Sequence, residues 1–388
     1  MLPENFTLLQ VVPALDAGGV ERTTLDISRA VVAAGGRSLV ASSGGRLEDE
    51  LAAHGGELQR LPLESKSPFT ALFNAADLRR IIEADDVSLV HVRSRAPAFA
   101  AGIAARATGT PFISTYHGVY NARGLIKRWY NGVMVRNDHV IANSAFTRRH
   151  VLDTYGLDPD AVTAIPRGAD LAAFDPKAVN PERLAAARAF CAVGPGETRT
   201  VFLLAGRLTR WKGQLLAVEA ARRLKAAGRE DFLLVIVGDD QGRLSYRAEI
   251  EAAIQAGNLS ETVCLAGHMT DMPAAWLAAD VALVPSLDPE AFGRTAVEPQ
   301  LMGRPVIVAA HGAPVDTVVD DETGWHHRPG DPDDLARRMK QAMDAGPAAR
   351  AAMGKTARSR ARKLYSVQAM IDATFAVYRR VLGEARPA

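Results

Sequence analysis

Two glutamates eight positions apart, Glu290 and Glu298, lie within the stretch from Pro285 to Pro305 (PSLDPEAFGRTAVEPQLMGRP), where this chain concentrates its chemistry. The apolar run before it, Asp280 to Val284, reads as a buried strand, and a helix is expected to open at about Arg294. Such a junction offers backbone N–H groups from Gly293, Arg294, Thr295 and Ala296 at the positive end of a helix dipole, so an anion is favoured there. Ionised carboxylates only accept hydrogen bonds, so Glu290 and Glu298 beside that anion suit hydroxyl groups. A diphosphate with hydroxyls on both sides is a sugar nucleotide.

Cations of matching character stand earlier in the chain. In Ala205 to Gly213 (AGRLTRWKG), Arg207 and Lys212 share one loop between an expected strand and an expected helix, so both can converge on a diphosphate. Two solvated loop cations are the plainer reading. Gly18 and Gly19, in the loop Leu15 to Arg22 (LDAGGVER), let the backbone approach a phosphate, or simply make a tight turn. The loop lacks the GxGxxG pattern and so argues against a dinucleotide-dependent dehydrogenase. His117, in Ser114 to Asn121 (STYHGVYN), follows an expected strand and points to where such folds bind ligands; a satisfied structural histidine is the alternative. Lys127, Arg128 and Arg136 are interleaved with Leu125, Ile126, Trp129, Tyr130, Val133 and Met134. That mixture suits either an anionic membrane surface or a helix with its apolar side on the sheet and its basic side in water.

These loops need strands and helices to hold them. Strands are expected at Thr7 to Val12, Ser38 to Ala41, Leu58 to Leu61, Ser88 to Val92, Pro111 to Thr115, His139 to Ala142 and Val162 to Ile165, then at Val201 to Ala205, Phe232 to Val237, Thr262 to Leu265, Val281 to Val284 and Pro305 to Val308. Longer Ala/Leu/Arg segments of helical period alternate with them, which implies α/β architecture with two doubly wound halves. A linker rich in Pro, Gly and charge is expected near Asp175 to Arg199. The last helix, Val367 to Gly383, is amphipathic through Ile371, Phe375, Tyr378 and Leu382, with Met370 beside them.

Composition sets the outer limits. At 388 residues the chain suits two domains, and 48% hydrophobic with 23% charged residues is ordinary for a globular protein. Net charge is only +2, so no global field argues for nucleic acid. Cys191 and Cys264 make no metal-like spacing and no disulfide framework. The start of the chain lacks a basic n-region, and no apolar run reaches membrane-spanning length, so a cytoplasmic protein is expected. The pairs Asp85-Asp86, Asp239-Asp240 and Asp320-Asp321 read as loop or cap carboxylates, so no metal is expected.

The spacing of Glu290 and Glu298, with Phe292 and Gly293 inside it and MGRPVI after it, resembles the E-x7-E motif of retaining GT-B glycosyltransferases, and most closely glycosyltransferase family 4. Arg207 and Lys212 with their glycines resemble the family's GR-x4-KG pattern, and His117-Gly118 its strand-end histidine. Ile165 to Asp170 (IPRGAD) resembles a family pattern too, but Arg167 stands where the family commonly has Asn. The resemblance implies two Rossmann-like domains facing a central cleft: residues 1–178 on the acceptor side, 179–365 for the donor, and 366–388 as a helix crossing back to the first domain. It implies a nucleotide-diphosphate sugar as donor substrate, no cofactor, a glycan or lipid-linked acceptor, and retention of anomeric configuration. Glu290, His117, Arg207 and Lys212 would carry catalysis. Donor binding would fall to Gly18, Gly19, Gly238, His268, Phe292, Gly293, Arg294, Thr295, Ala296 and Glu298, with Gly238 and His268 near the base. Bacterial surface polysaccharide synthesis, lipopolysaccharide included, is the expected setting, with peripheral contact at the cytoplasmic membrane. A sugar-nucleotide epimerase of this architecture and a non-catalytic nucleotide-sugar binding subunit are the rival readings.

Overall fold

The structure, a computed structural model, describes residues 2–16, 18–65, 67–120 and 124–383. Ala17 and Asn121, which belong to two loops discussed above, lie outside the described residues, as do 384–388 and the side chains of Leu125 and Ile126. The chain forms two compact units, Met1–Gly168 with Val367–Ala388, and Ala169–Ser366.

In the first unit, β1 (Thr7–Val11), α1 (Gly19–Ala33), β2 (Arg37–Ser42), α2 (Glu48–Ala53), β3 (Glu57–Arg60) and α3 (Pro68–Ala84) run to one side of the sheet. β4 (Leu89–Val92), α4 (Arg95–Thr108), β5 (Phe112–Tyr116), α5 (Leu125–Asn131), β6 (His139–Ala142), α6 (Ala145–Tyr155) and β7 (Val162–Ala164) run to the other. The strand order is β3-β2-β1-β4-β5-β6-β7, with every pairing parallel. β1, β4, β5 and β6 are buried along their whole length, as runs such as TLLQV and LVHV require when both faces are covered. The order of connections reverses between β1 and β4, and ligands of open α/β sheets bind at the carboxyl ends of such a pair.

The second unit opens with α7 (Pro181–Phe190), β8 (Thr200–Ala205), α8 (Gln214–Ala226), β9 (Phe232–Val237), α9 (Leu244–Ala256), β10 (Val263–Gly267) and α10 (Met272–Ala278). It continues with β11 (Val281–Val284), α11 (Arg294–Leu301), β12 (Val306–Ala309), α12 (Pro314–Thr317), β13 (Gly324–His327), α13 (Pro332–Asp344) and α14 (Gly346–Leu364). Its sheet, again parallel, runs β10-β9-β8-β11-β12-β13 and reverses between β8 and β11. β13 was not among the expected strands, because GWHH has no β-branched residue; it forms by pairing with β12, which buries Trp325.

The boundary expected at 178/179, and the linker expected at 175–199, lie inside the second unit. Asn180 caps α7 by accepting from Arg183 N–H at 2.8 Å, Arg183 reaches Asp271 at 2.7 Å, and Ala187, Cys191 and Val193 are buried in that unit's core. Two of the prolines that suggested a linker are helix openers, Pro176 at the start of a short 3₁₀ turn and Pro181 at the first position of α7, while Pro195 lies in a turn.

The last helix, α15 (Val367–Val381), belongs to the first unit. Met370, Val377 and Tyr378 are buried there against Phe6, Leu8, Ile27, Leu89, Ile113 and Ile141. Each such side chain contributes about 1.5–3 kcal/mol of apolar burial. Tyr378 also carries its hydroxyl to His91 Nδ1 at 2.7 Å, under the middle of the sheet. Replacing Tyr378 by Ala is expected to cost about 3–5 kcal/mol, read as a lower urea midpoint for the first unit. An unchanged midpoint would show that α15 is not part of this core.

Candidate functional site

The loops that carry the second unit's chemistry leave β8 and β11, the two strands at which its sheet reverses. Both lead into helices capped by glycine with no side-chain cap, Gly213 for α8 and Gly293 for α11. Gly293 sits at φ +78°, and a β-carbon there would press Pro314 at 3.0 Å, so glycine leaves the mouth of α11 open. The same turn uses up one expected donor: Ala296 N–H already donates to Gly293 O at 2.9 Å, whereas it was expected to be free. Closing a tight first turn consumes the N–H nearest the cap carbonyl.

Glu290 lies just ahead of that mouth, nearly dry. Lys212 Nζ donates to its Oε1 at 2.7 Å, with the two side chains 12% and 8% exposed. Ser286 Oγ donates to the same oxygen at 2.5 Å. His311 Nε2 in turn donates to Ser286 O at 2.8 Å, and Ala313 N–H to Glu290 O at 2.8 Å. On its other side the Lys212 ammonium is 4.4 Å from the Trp211 ring centroid. Glu298 is held separately: Arg294 reaches its Oε1 at 2.8 Å and Trp276 Nε1 its Oε2 at 3.4 Å. Burial nevertheless raises the Glu298 carboxyl above its ordinary value, against the pull of Arg294.

Arg207 is exposed on the β8 loop, and among the described residues no carboxylate pairs with it. Its backbone is fixed, since its carbonyl accepts from Gln214 Nε2 at 2.9 Å. Gly238, after β9, donates to Gly267 O at 2.8 Å, and a β-carbon on it would lie 1.9 Å from Gly206 O. The loops after β8, β9 and β10 are thereby laced together by backbone, with His268 exposed at the end of β10. Phe292 is buried with its ring 6.0 Å from Tyr365, so its side chain packs the unit while the backbone beside it shapes the loop.

In the first unit, His117 follows β5, Arg167 follows β7, and Gly18 caps α1. Arg167 Nη2 donates to His117 Nδ1 at 3.1 Å. Burial, then the charges of Arg167 and Arg93, hold His117 well below the ordinary imidazole range, so it is neutral. In α5, Lys127, Arg128, Trp129 and Tyr130 are exposed, while Val133 and Met134 just beyond are buried. Sequence reasoning did not single out Arg93, Ser286, Trp276 or His311. Each is remote in sequence or common in type, and only Ser286, four residues before Glu290, carried a local signal.

Two doubly wound parallel sheets, each with glycine-opened loops at its reversal point, are the architecture of GT-B glycosyltransferases. The chain matches the family models "Glycosyltransferase Family 4" over residues 17–173 and "Glycosyl transferases group 1" over 189–360. It is 32% identical to a 2-deoxystreptamine glucosyltransferase of Streptomyces kanamyceticus, over 81% of this chain and 82% of that protein. A crystal structure of a glycosyltransferase from Rickettsia africae superposes with TM-score 0.89 at 32% identity, covering 99% of this chain and 100% of that one. The Anabaena protein HepE, solved in complex with UDP-glucose, superposes with TM-score 0.78 at 21% identity, over 96% of this chain and 99% of that one. The chain belongs to glycosyltransferase family 4 and is a glycosyltransferase.

The raised Glu298 carboxyl sets a stability test. Above its folded pKa the buried charge destabilises the fold, and below its ordinary value of 4.5 the proton is bound in both states and the cost is gone. Glu298→Gln is therefore expected to be at least as stable as the parent at neutral pH, with that advantage vanishing below pH 4.5. Thermal midpoints across pH check it; a variant less stable at neutral pH would contradict the sign.

Proposed function

We propose that this protein is a retaining hexosyltransferase that takes its sugar from a UDP- or GDP-sugar and passes it to a glycan or lipid-linked acceptor. The buried contact of Lys212 with Glu290 beside the mouth of α11 carries this reading. At rest, the lysine charge is spent on a carboxylate. A donor diphosphate competes for Lys212 and joins Arg207 and the N–H groups of Arg294 and Thr295, while Glu290 keeps Ser286 and turns an oxygen toward a sugar hydroxyl. Glu298 accepts from the ribose. As the bond from the anomeric carbon to the phosphate oxygen breaks, charge grows on the leaving diphosphate, where these fixed positive groups act most strongly. The acceptor oxygen bonds to the same face of that carbon, and its proton passes to the departing phosphate oxygen. Within the first unit, His117 is neutral and carries its proton on Nε2, since its Nδ1 accepts from Arg167.

Arg207, Lys212 and the opening of α11 supply the positive charge in this scheme, so turnover is expected to persist in EDTA. The HepE complex supports UDP as the nucleotide. Among the described residues no helix is long and apolar enough to cross a membrane. The exposed Lys127, Arg128, Trp129 and Tyr130 support peripheral contact with an anionic membrane, in keeping with bacterial lipopolysaccharide or other surface polysaccharide synthesis.

The test is a thermal-shift panel of UDP-, GDP- and ADP-sugars on the parent protein and on Lys212→Ala and Glu298→Ala. One nucleotide class should raise the midpoint of the parent and neither variant. Where turnover is measurable, Lys212→Ala should lower kcat by about 10²–10³-fold. A folded parent that responds to no sugar nucleotide would sink the reading.

A further inference from the structure

The first unit has a second concave region, at the end of its sheet opposite to His117 and Arg167. There a cavity of about 1150 Å³ opens at the amino ends of β5, β6 and β7, lined by Arg106, Arg136 and Arg380 together with Asp138, Asp160 and His139. Asp138 accepts from Phe112 N–H at 2.7 Å, and among the described residues no ion pair joins either aspartate to these arginines. Arg380 donates through Nη2 to His139 Nδ1 at 2.8 Å and to Asp160 O. Burial, then the charge of Arg380, lowers His139 to about 4, so it is neutral and offers the cavity no charge. Arg106 and Arg136 are exposed, and among the described residues their guanidinium groups have neither an ion pair nor a hydrogen bond. Arg106 and Arg380 have an ordinary duty as well, since a cation in the last turn of a helix, here α4 and α15, complements its negative end. Arg136 has no such duty: it follows a 3₁₀ turn of four residues, Gly132–Val135.

Arg136 also borders a second cavity, of about 400 Å³, walled by Trp129, Val135, Tyr155 and Leu157, with Arg128 its other charged residue. Its character is different. Val135, Tyr155 and Leu157 pack against the first unit's core, and the Tyr155 hydroxyl is turned to that of Tyr116 at 3.4 Å, so this wall offers carbon and little hydrogen bonding. Trp129 is 57% exposed, and the Arg136 guanidinium carbon lies 5.4 Å from its ring centroid. A basic cavity and an apolar one therefore meet at a single arginine.

We propose that the two cavities, joined at Arg136, form one binding site for a single amphiphilic phosphate ester, with its phosphate among Arg106, Arg136 and Arg380 and its hydrocarbon over Trp129, Val135, Tyr155 and Leu157. A guanidinium presents parallel N–H groups that match two phosphate oxygens, and two of the three here are unspent. The larger cavity reaches the size of sites for whole small molecules, about 300–1,000 Å³, so it has room for the rest of a headgroup. Asp138 and Asp160 can accept from donors on that headgroup. This is the chemistry of a membrane phospholipid. It gives the peripheral contact proposed above a molecular partner, one lipid held by the protein. The site lies at the other end of the sheet from His117, so the lipid is not an acceptor, and the inference does not rest on the transferase reading.

The experiment titrates the full chain by calorimetry with dihexanoyl phosphatidylglycerol, a short-chain lipid kept below its micelle concentration, with and without saturating UDP. One lipid should bind per chain, and UDP should not displace it. Arg136→Gln should weaken binding by about tenfold or more, the loss of a charge-assisted hydrogen bond, and Arg106→Gln should act in the same direction. Both side chains are exposed, so both variants should keep the parent's thermal midpoint. Trp129→Ser should weaken the lipid while leaving the weaker binding of glycerol 3-phosphate, which has no tail, unchanged. Displacement by UDP would assign the anion to the reaction's own site and overturn the proposal. Lipid binding indifferent to Arg136→Gln would overturn it as well. Glycerol 3-phosphate bound as tightly as the lipid would do the same, since the apolar cavity would then contribute nothing.

Discussion

A lysine and a glutamate 2.7 Å apart, both almost removed from water, are the constraint on which the second unit's site depends. Removing two charges from water costs several kcal/mol per ion, and their mutual attraction repays this only when each is fully hydrogen-bonded. That requirement accounts for the neighbours. Ser286 fills the shared oxygen of Glu290, His311 fixes the Ser286 backbone, and Trp211 covers the ammonium. Gly312 lets the β12 loop lie against Glu290, since a β-carbon there would come within 2.7 Å of its N–H.

Both units reverse their connections in one way. In a doubly wound sheet the carboxyl ends of the two strands at the reversal open a gap between helices that leave in opposite directions. In the second unit the strands are β8 and β11, and the loops that follow hold Lys212 and Glu290. In the first they are β1 and β4, and the residues there are Gln10, His91 and Arg93, with α1 opening beside them. The two gaps differ in charge. One pairs its lysine with a carboxylate; the other gathers donors around a buried arginine. α15 completes the second arrangement from below, where Tyr378 holds one nitrogen of His91 and Thr115 the other, both at 2.7 Å. A buried polar chain of this kind is stable only when its members are satisfied, which ties the C-terminal helix to the geometry at the middle of the first unit's sheet.

The expected strands were legible because parallel strands covered on both faces read as short, unbroken apolar runs, and glycine-opened loops punctuate them. β13 was missed because pairing with β12, not local preference, makes GWHH a strand. The boundary was misjudged because prolines that open helices have the composition of a linker. Of the residues around Glu290, the sequence pointed to Lys212 through its loop pattern, whereas His311 and Trp211 acquire their roles only through contacts made in space.

By itself, the sequence determined which backbone segments become strands, where loops open into helices, and that carboxylates and cations of the right types lie on those loops. These are local matters, set by periodicity, glycine and side-chain chemistry within a few residues. Tertiary structure decided which group meets which: that Lys212 rests on Glu290, that Trp276 reaches Glu298, and that Arg93 is buried with no ion pair among the described residues. Charge pairing depends on distance and on how much water remains between groups. Both are fixed only when strands far apart in sequence come to lie side by side.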